Sequence, residues 1–152
     1  MSSFTIRTYK EEDKKNLIKI FRLNTPQFFA PEEEEDFKNY LEDEIEHYFV
    51  LESKNQLVGG GGVNFIHNGK IAKISWDILH PEFQGQGLGT ELLKFRLNFI
   101  VSNFSVTKIR VRTSQFAFTF YEKNGFELQE IIKDYWTKGY DLYVMELNNL
   151  QQ

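Results

Sequence analysis

Leu79-His80-Pro81-Glu82-Phe83-Gln84-Gly85-Gln86-Gly87-Leu88-Gly89-Thr90 is the stretch that decides how this chain is read. Before it, Ile71–Leu79 is rich in β-branched and aromatic residues and reads as a strand. After it, Thr90–Phe104 carries Leu92, Leu93, Phe95, Leu97, Phe99 and Ile100 and reads as a largely apolar helix. A turn from a strand end to a helix start presents unpaired backbone N–H groups at the positive end of the helix dipole, where anions bind. Glycines at 85, 87 and 89 let that backbone approach phosphate oxygens that a Cβ would hold off. Two common nucleotide patterns fail here. Counted from Gly85, a G-x-G-x-x-G ends on Thr90, and no Gly-Lys-Ser/Thr follows to make a P-loop. The pattern that is met is Q/R-x-x-G-x-G/A, as Gln84-Gly85-Gln86-Gly87-Leu88-Gly89.

Outward from this turn the elements alternate. Phe4–Tyr9 alternates like a strand, and Glu11–Leu23 places Leu17, Ile20, Phe21 and Asn24 at helical spacing. Pro31 with Glu32–Asp36 opens a second helix, proline early and carboxylates in the first turn, with Phe37, Tyr40, Leu41 and Ile45 as its apolar stripe. His47–Glu52 and Gln56–Ile66 read as strands joined at Ser53-Lys54-Asn55, and His67-Asn68-Gly69-Lys70 turns into Ile71–Leu79. Thr107–Arg112 is a short strand, and Phe116–Lys123 a short helix stopped at Asn124-Gly125. Glu127–Tyr135 and Tyr140–Leu147 close the chain as a strand pair. The predicted order is β-α-α-β-β-β-α-β-α-β-β, a mixed α/β sheet with no linker long enough to divide residues 1–152 into two domains.

Composition narrows the function classes. The chain has 152 residues, 41 % hydrophobic and 26 % charged, as expected for a globular protein. Its 16 % aromatic share lets a short chain assemble a large core. No apolar run approaches the roughly 20 residues of a membrane span, and MSSFTIRTYK lacks the apolar region of a signal peptide. The absence of Cys removes disulfides, Cys-ligated zinc and thiol nucleophiles, and fits a reducing cytoplasm. A net charge of −4 argues against a nucleic-acid partner. That charge is uneven: residues 32–46 hold nine carboxylates against Lys38, a local −8, leaving +4 elsewhere.

The glycine turn in this position resembles the pyrophosphate-binding turn of the GNAT superfamily of N-acetyltransferases, and the element order is similar to that fold. A second block agrees, because Ala117-Phe118-Thr119-Phe120-Tyr121-Glu122-Lys123-Asn124-Gly125-Phe126 resembles the family's A-x-x-x-Y-E-K-x-G-F segment. The resemblance implies acetyl-CoA as cosubstrate, no metal, and an amine of a small molecule or peptide as acceptor. It implies that Gln84, Gly85, Gln86, Gly87, Leu88, Gly89 and Thr90 hold the pyrophosphate, with the pantetheine arm along strand 71–79. The Leu79 amide then faces the thioester oxygen, and Tyr121 stands where the family places the acid for the departing thiolate. Three residues before Ala117, where the family often has Asn, this chain has Ser114 beside Gln115, so either supplies the contact to the CoA arm.

An amine must lose its proton before it attacks. Simple strand alternation puts Lys73, Ser75, Asp77 and Leu79 on one face, and Asp77 is the carboxylate there. Asp77 is read either as the general base or as the partner of a nearby cation, with water taking the proton. His80 and Glu82 are read as shaping the turn. Gly59-Gly60-Gly61-Gly62 inside a strand marks either room for a ligand or a bulge. The acidic helix either solvates an outer face or draws a cationic acceptor. Two rivals are carried: a transferase for another acyl-CoA, where a succinyl donor calls for Lys73 as a cation near the thioester, and a CoA-binding module that transfers nothing. Sheet edges and the apolar last hairpin leave room for a homodimer.

Overall fold

A computed structural model describes residues 3–148 and 150. Its strands are β1 (Phe4–Thr8), β2 (His47–Ser53), β3 (Gln56–Ile66), β4 (Ile71–Leu79), β5 (Lys108–Thr113), β6 (Glu127–Thr137) and β7 (Tyr140–Leu147). The helices are α1 (Lys14–Leu23), α2 (Glu33–Asn39), α3 (Leu88–Asn103) and α4 (Phe118–Lys123). A single wide π turn, Tyr40–Glu44, extends α2, so the acidic segment is helical almost throughout as its periodicity predicts. The strands form one sheet in the order β1-β2-β3-β4-β5-β7-β6. Positive φ at Lys54 and Asn55, and at His67, Asn68 and Gly69, makes the two tight turns around β3. Among the described residues no helix is long and apolar enough to cross a membrane.

Two cores lie on the two faces of the sheet. α1 and α2 pack Leu17, Phe21, Phe37 and Tyr40 against Tyr48, Val50 and Ile78. α3 and α4 pack Leu93, Ile100 and Tyr121 against Val63, Ile74, Ile109 and Val111. The two halves of the sheet meet at the parallel pair β4–β5, which is bonded only from Ile71↔Lys108 to Ile74↔Val111. Beyond Ile74 the strands have no paired partner across this seam, and the cleft opens there.

β4 does not keep simple alternation. Its pairing with β3 slips one residue between Ser75 and Ile78, and Trp76 takes a positive φ of 50°. This bulge reverses which way the later side chains point. Ala72 and Ile74 face α3 and α4, but Trp76 and Ile78 face α1 and α2. Asp77 and Leu79 consequently point towards α3 and α4, while Lys73 and Ser75 lie on the α1/α2 side. The expectation of one shared face is therefore corrected, because one extra residue inverts the period of two.

The glycine run in β3 borders this bulge. A Cβ at Gly60 would strike the Tyr48 ring, and one at Gly61 would lie 2.6 Å from both Arg96 Cζ and Asp77 Oδ1. The space the glycines leave is thus filled by the protein's own side chains. Gly61→Ala should lower stability by about 1–3 kcal/mol through overpacking, read as a reduced urea midpoint with unchanged slope. An unchanged midpoint would show that Arg96 and Asp77 can shift aside freely.

Candidate active site

The cleft at the β4–β5 seam has a volume of about 730 Å³. Along it lie the predicted Asp77, Leu79, Gln84, Gly85, Gly87, Gly89, Thr90, Ser114 and Tyr121. The structure therefore brings the two sequence motifs to one place, although they are about 30 residues apart.

At the glycine turn, Gly85 and Gly87 have φ of 78° and 82°, and no atom lies within 4 Å of where their Cβ would stand. This left-handed geometry admits glycine readily and other residues at a penalty. The first helical backbone bond of α3 runs from the Glu91 N–H to the Gly87 carbonyl. Among the described residues the amides from Gly85 to Thr90 have no acceptor of their own, so the turn is a cradle of free donors ahead of a 16-residue helix. An anionic pyrophosphate fits this donor set. The side chains of the motif serve the turn itself: Gln84 Nε2 donates to Asn24 Oδ1 and the Leu79 carbonyl, each at 3.2 Å, and Gln86 Nε2 donates to the Glu82 carbonyl at 3.3 Å. Leu88 is buried against Leu51 and Val58. His80 Nδ1 accepts the Glu82 N–H at 3.1 Å, which makes it a cap of the turn.

The orientation of the Leu79 amide follows from the ladder. The His80 N–H donates to the Val58 carbonyl at 2.7 Å. Its neighbour Leu79, opposite Gly59, therefore points its N–H and carbonyl away from β3 and into the open seam. Asn24 Nδ2 and Gln84 Nε2 hold that carbonyl at 3.1 and 3.2 Å, which fixes the peptide plane.

A buried charge network forms the centre of the cleft. Arg96, fully buried on α3, ion-pairs with Asp77 Oδ1 and donates to the Gly62 carbonyl at 3.2 Å. The other oxygen of Asp77 accepts the Tyr121 hydroxyl at 2.6 Å. Burial opposes the charge of Arg96, and the Asp77 carboxylate outweighs it, so the guanidinium stays firmly protonated. Burial first, and the Asp77 charge second, push the Tyr121 phenol well above its usual range. Both oxygens of Asp77 are engaged, one by Arg96, the cation its alternative reading calls for, and one by Tyr121, so a base role requires it to release one of them. Arg96 went unnoticed in the sequence; the one signal was a lone guanidinium among Leu92, Leu93 and Ile100 on the buried stripe of α3.

Ser114 Oγ accepts the Phe116 N–H at 3.2 Å at the turn into α4 and borders the cleft. Both ends of the Gln115 amide are tied to the last hairpin, to the Gly139 carbonyl at 2.8 Å and the Asp141 N–H at 2.9 Å. Of the two candidates for the CoA arm, Ser114 is thus the one with a group left to offer. Phe28, Glu33, Asp36, Glu44, Trp136 and Tyr140 also line the cleft. The acidic segment is split, because Glu34 turns outward to Arg22 and Lys38.

The sequence profile described as the Acetyltransferase (GNAT) family matches residues 15–126. The chain belongs to this family. As a GNAT enzyme it is an N-acetyltransferase that uses acetyl-CoA, and neither rival gains support. The bulge also removes the cation a succinyl donor calls for, since Lys73 is on the opposite face from Leu79. An N-alpha-acetyltransferase of Saccharolobus solfataricus is 26 % identical over 93 % of this chain and 91 % of its own. The crystal structure of Ard1 from Thermoplasma volcanium is similar with a TM-score of 0.80, at 18 % identity over 97 % of this chain and 99 % of its own. The ribosomal-protein-S18-alanine N-acetyltransferase from Escherichia coli gives 0.77, at 18 % identity over 99 % and 96 %.

Two predictions concern this acetyltransferase's charged groups. Arg96→Met should cost about 2–4 kcal/mol by leaving Asp77 without its counter-charge, and Asp77→Asn in the same chain should restore part of the loss. Losses that simply add in a denaturant series would mean the two side chains do not interact. Glu33 is raised above its ordinary 4.5, first by burial, although the Ala30 N–H bonded to its carboxylate at 2.9 Å opposes this. A raised carboxyl stabilises the fold fully below its unfolded pKa and loses that contribution as pH rises through the folded pKa. Glu33→Gln should therefore melt above wild type at pH 7, with the gap closing below about pH 4. A gap that persists at pH 3 would assign the gain to something other than the charge.

Proposed function

We propose that residues 1–152 act as one catalytic domain that acetylates the α-amino group at the end of a peptide. The observation that carries this reading is a bridge over the acceptor side of the cleft. Tyr140 Oη, on the last hairpin, donates to the Pro26 carbonyl at 2.7 Å, and Thr137 Oγ1 donates to Glu32 Oε2 at 3.2 Å. Pro26 and Glu32 belong to the segment between α1 and α2, so the opening is roofed. A chain end or a small amine can enter beneath such a roof, whereas a side chain on a folded surface is held off. The name of the 26 % identical relative supports the same acceptor class. A second reading, a polycationic small amine, is supported by Glu33, Asp36 and Glu44 on the cleft wall.

Acetyl-CoA bound in the cleft supplies a thioester carbonyl that an uncharged amine attacks directly. The free amides from Gly85 to Thr90 hold the pyrophosphate, and Ser114 offers its hydroxyl to the arm. The seam-facing Leu79 N–H stabilises negative charge developing on the carbonyl oxygen. Tyr121, kept protonated by burial and by Asp77, holds its O–H at neutral pH and offers it to the departing thiolate as charge builds on the sulfur. Rotation about its C–O bond turns the proton from Asp77 to the sulfur, while Arg96 keeps the released carboxylate compensated. Asp77 is in this reading a positioning residue, and water in the cleft takes the amine proton. The cytoplasm, which supplies acetyl-CoA, is the compartment implied. A homodimer is supported by Leu128, Ile131 and Ile132, exposed on the edge strand β6.

The test is turnover on short N-terminal peptides beside spermidine, for wild type and Tyr121→Phe. Peptides should be the better acceptors, and the variant should lose on the order of 10²–10⁴ in kcat with acetyl-CoA affinity unchanged by calorimetry. Spermidine turnover alone would overturn the peptide reading, and wild-type turnover in Tyr121→Phe would leave its ring a packing group.

A further inference from the structure

Lys73 is the least accounted-for cation in the cleft. Arg110, directly opposite it across the parallel seam, is bonded to Glu146 at 2.9 Å, and Lys108 reaches the same carboxylate at 3.2 Å. Arg112, two residues further along β5, is held with its guanidinium over the rings of Tyr135 and Trp136, 5.0 and 5.4 Å from their centroids. It donates to Tyr135 Oη at 2.5 Å, which leaves other N–H groups of its fork unused. Lys73, among the described residues, has neither a hydrogen bond nor an ion pair. It is half-buried all the same, and that burial, followed by the nearby charge of Arg112, lowers its pKa; Glu44 and Glu46 oppose the shift. Glu46 Oε1 accepts from the Asn64 side chain and the Phe65 N–H, both at 3.1 Å.

Position gives this cation a use. Lys73 precedes the bulge, so it is on the α1/α2 face that the acceptor meets, not on the Leu79 face. Ile109 and Val111 are buried against α3, so Arg112 shares the face of Lys73. One strand spacing and two residues separate them, roughly 8 Å between Cα atoms. Both line the same cleft. Lys73 and Leu79 pair with Asn64 and Gly59, five residues apart on β3, so their Cα atoms are about 17 Å apart. An extended three-residue peptide covers roughly 10 Å of that interval, and the acidic and lysine side chains that meet cover the rest.

We infer that Lys73 and Arg112 form an anion subsite that selects acceptor peptides with an aspartate or glutamate at the second or third residue. The inference rests on the peptide reading proposed above. A carboxylate there supplies the partner that Lys73 lacks and meets the open fork of Arg112. The positive floor also discriminates against peptides with lysine or arginine at those positions.

The experiment compares kcat/KM for C-terminally amidated peptides that carry Glu, Gln or Lys at residues two and three, with spermidine as a further arm. Wild type should favour the Glu peptide over the Gln peptide by roughly ten- to a hundred-fold, the range of a charge-assisted bond. Lys73→Met should bring that ratio close to one, and Lys73→Glu should invert the order in favour of the Lys peptide. Melting temperatures of both variants report whether they fold. Should either fail, Arg112→Gln offers the same readout, a reduced Glu-to-Gln ratio. Equal turnover of the three peptides by wild type would overturn the subsite and leave the peptide reading intact. Turnover of spermidine with none of any peptide would overturn both.

Discussion

A fully buried guanidinium is the constraint around which this fold is arranged. Arg96 can stay charged in the interior only beside a carboxylate, because an unpaired buried charge is far too costly. Asp77 supplies that carboxylate, and three features of the surrounding chain make the meeting geometrically available. The bulge at Trp76 turns Asp77 towards α3, Gly61 leaves out the Cβ that would collide with the pair, and α4 brings Tyr121 to the second oxygen. Stability and chemistry are joined at one point, since the charge that settles Arg96 also holds the hydroxyl assigned as acid.

The same bulge separates the two halves of the reaction. Before it, β4 offers Lys73 and Ser75 to the α1/α2 side; after it, Asp77 and Leu79 face the glycine turn and α4. In the proposed function, one strand thereby serves the acceptor with its first half and the cofactor with its second. The gap between them exists because β4 and β5 stop pairing after Ile74 and Val111. One of the chain's aromatic clusters lies on the α1/α2 side of this gap. Phe21, Phe29, Phe37, Tyr40 and Tyr48 surround or adjoin Trp76, with Phe37 and Trp76 ring centroids 5.0 Å apart. A bulged residue with positive φ is strained, and this packing holds it in place.

The sequence by itself determined the elements, the glycine turn and the family. Each of these is written in short-range patterns: Gln56–Ile66 and Ile71–Leu79 have the ends their periodicity predicts, and Gly85 and Gly87 take the left-handed turn their type favours. Tyr121 was legible because its motif is contiguous. Arg96 was not, because nothing local distinguishes a buried arginine from an exposed one, and its partner lies 19 residues away on another element. The face of Asp77 was read wrongly for a related reason. A period of two holds only while register is kept, and register belongs to a pair of strands. Tertiary structure alone decided the bulge, the roof from Tyr140 to Pro26 and the side on which Lys73 stands. Each depends on how separate segments pack against one another, and no single stretch of the chain encodes that.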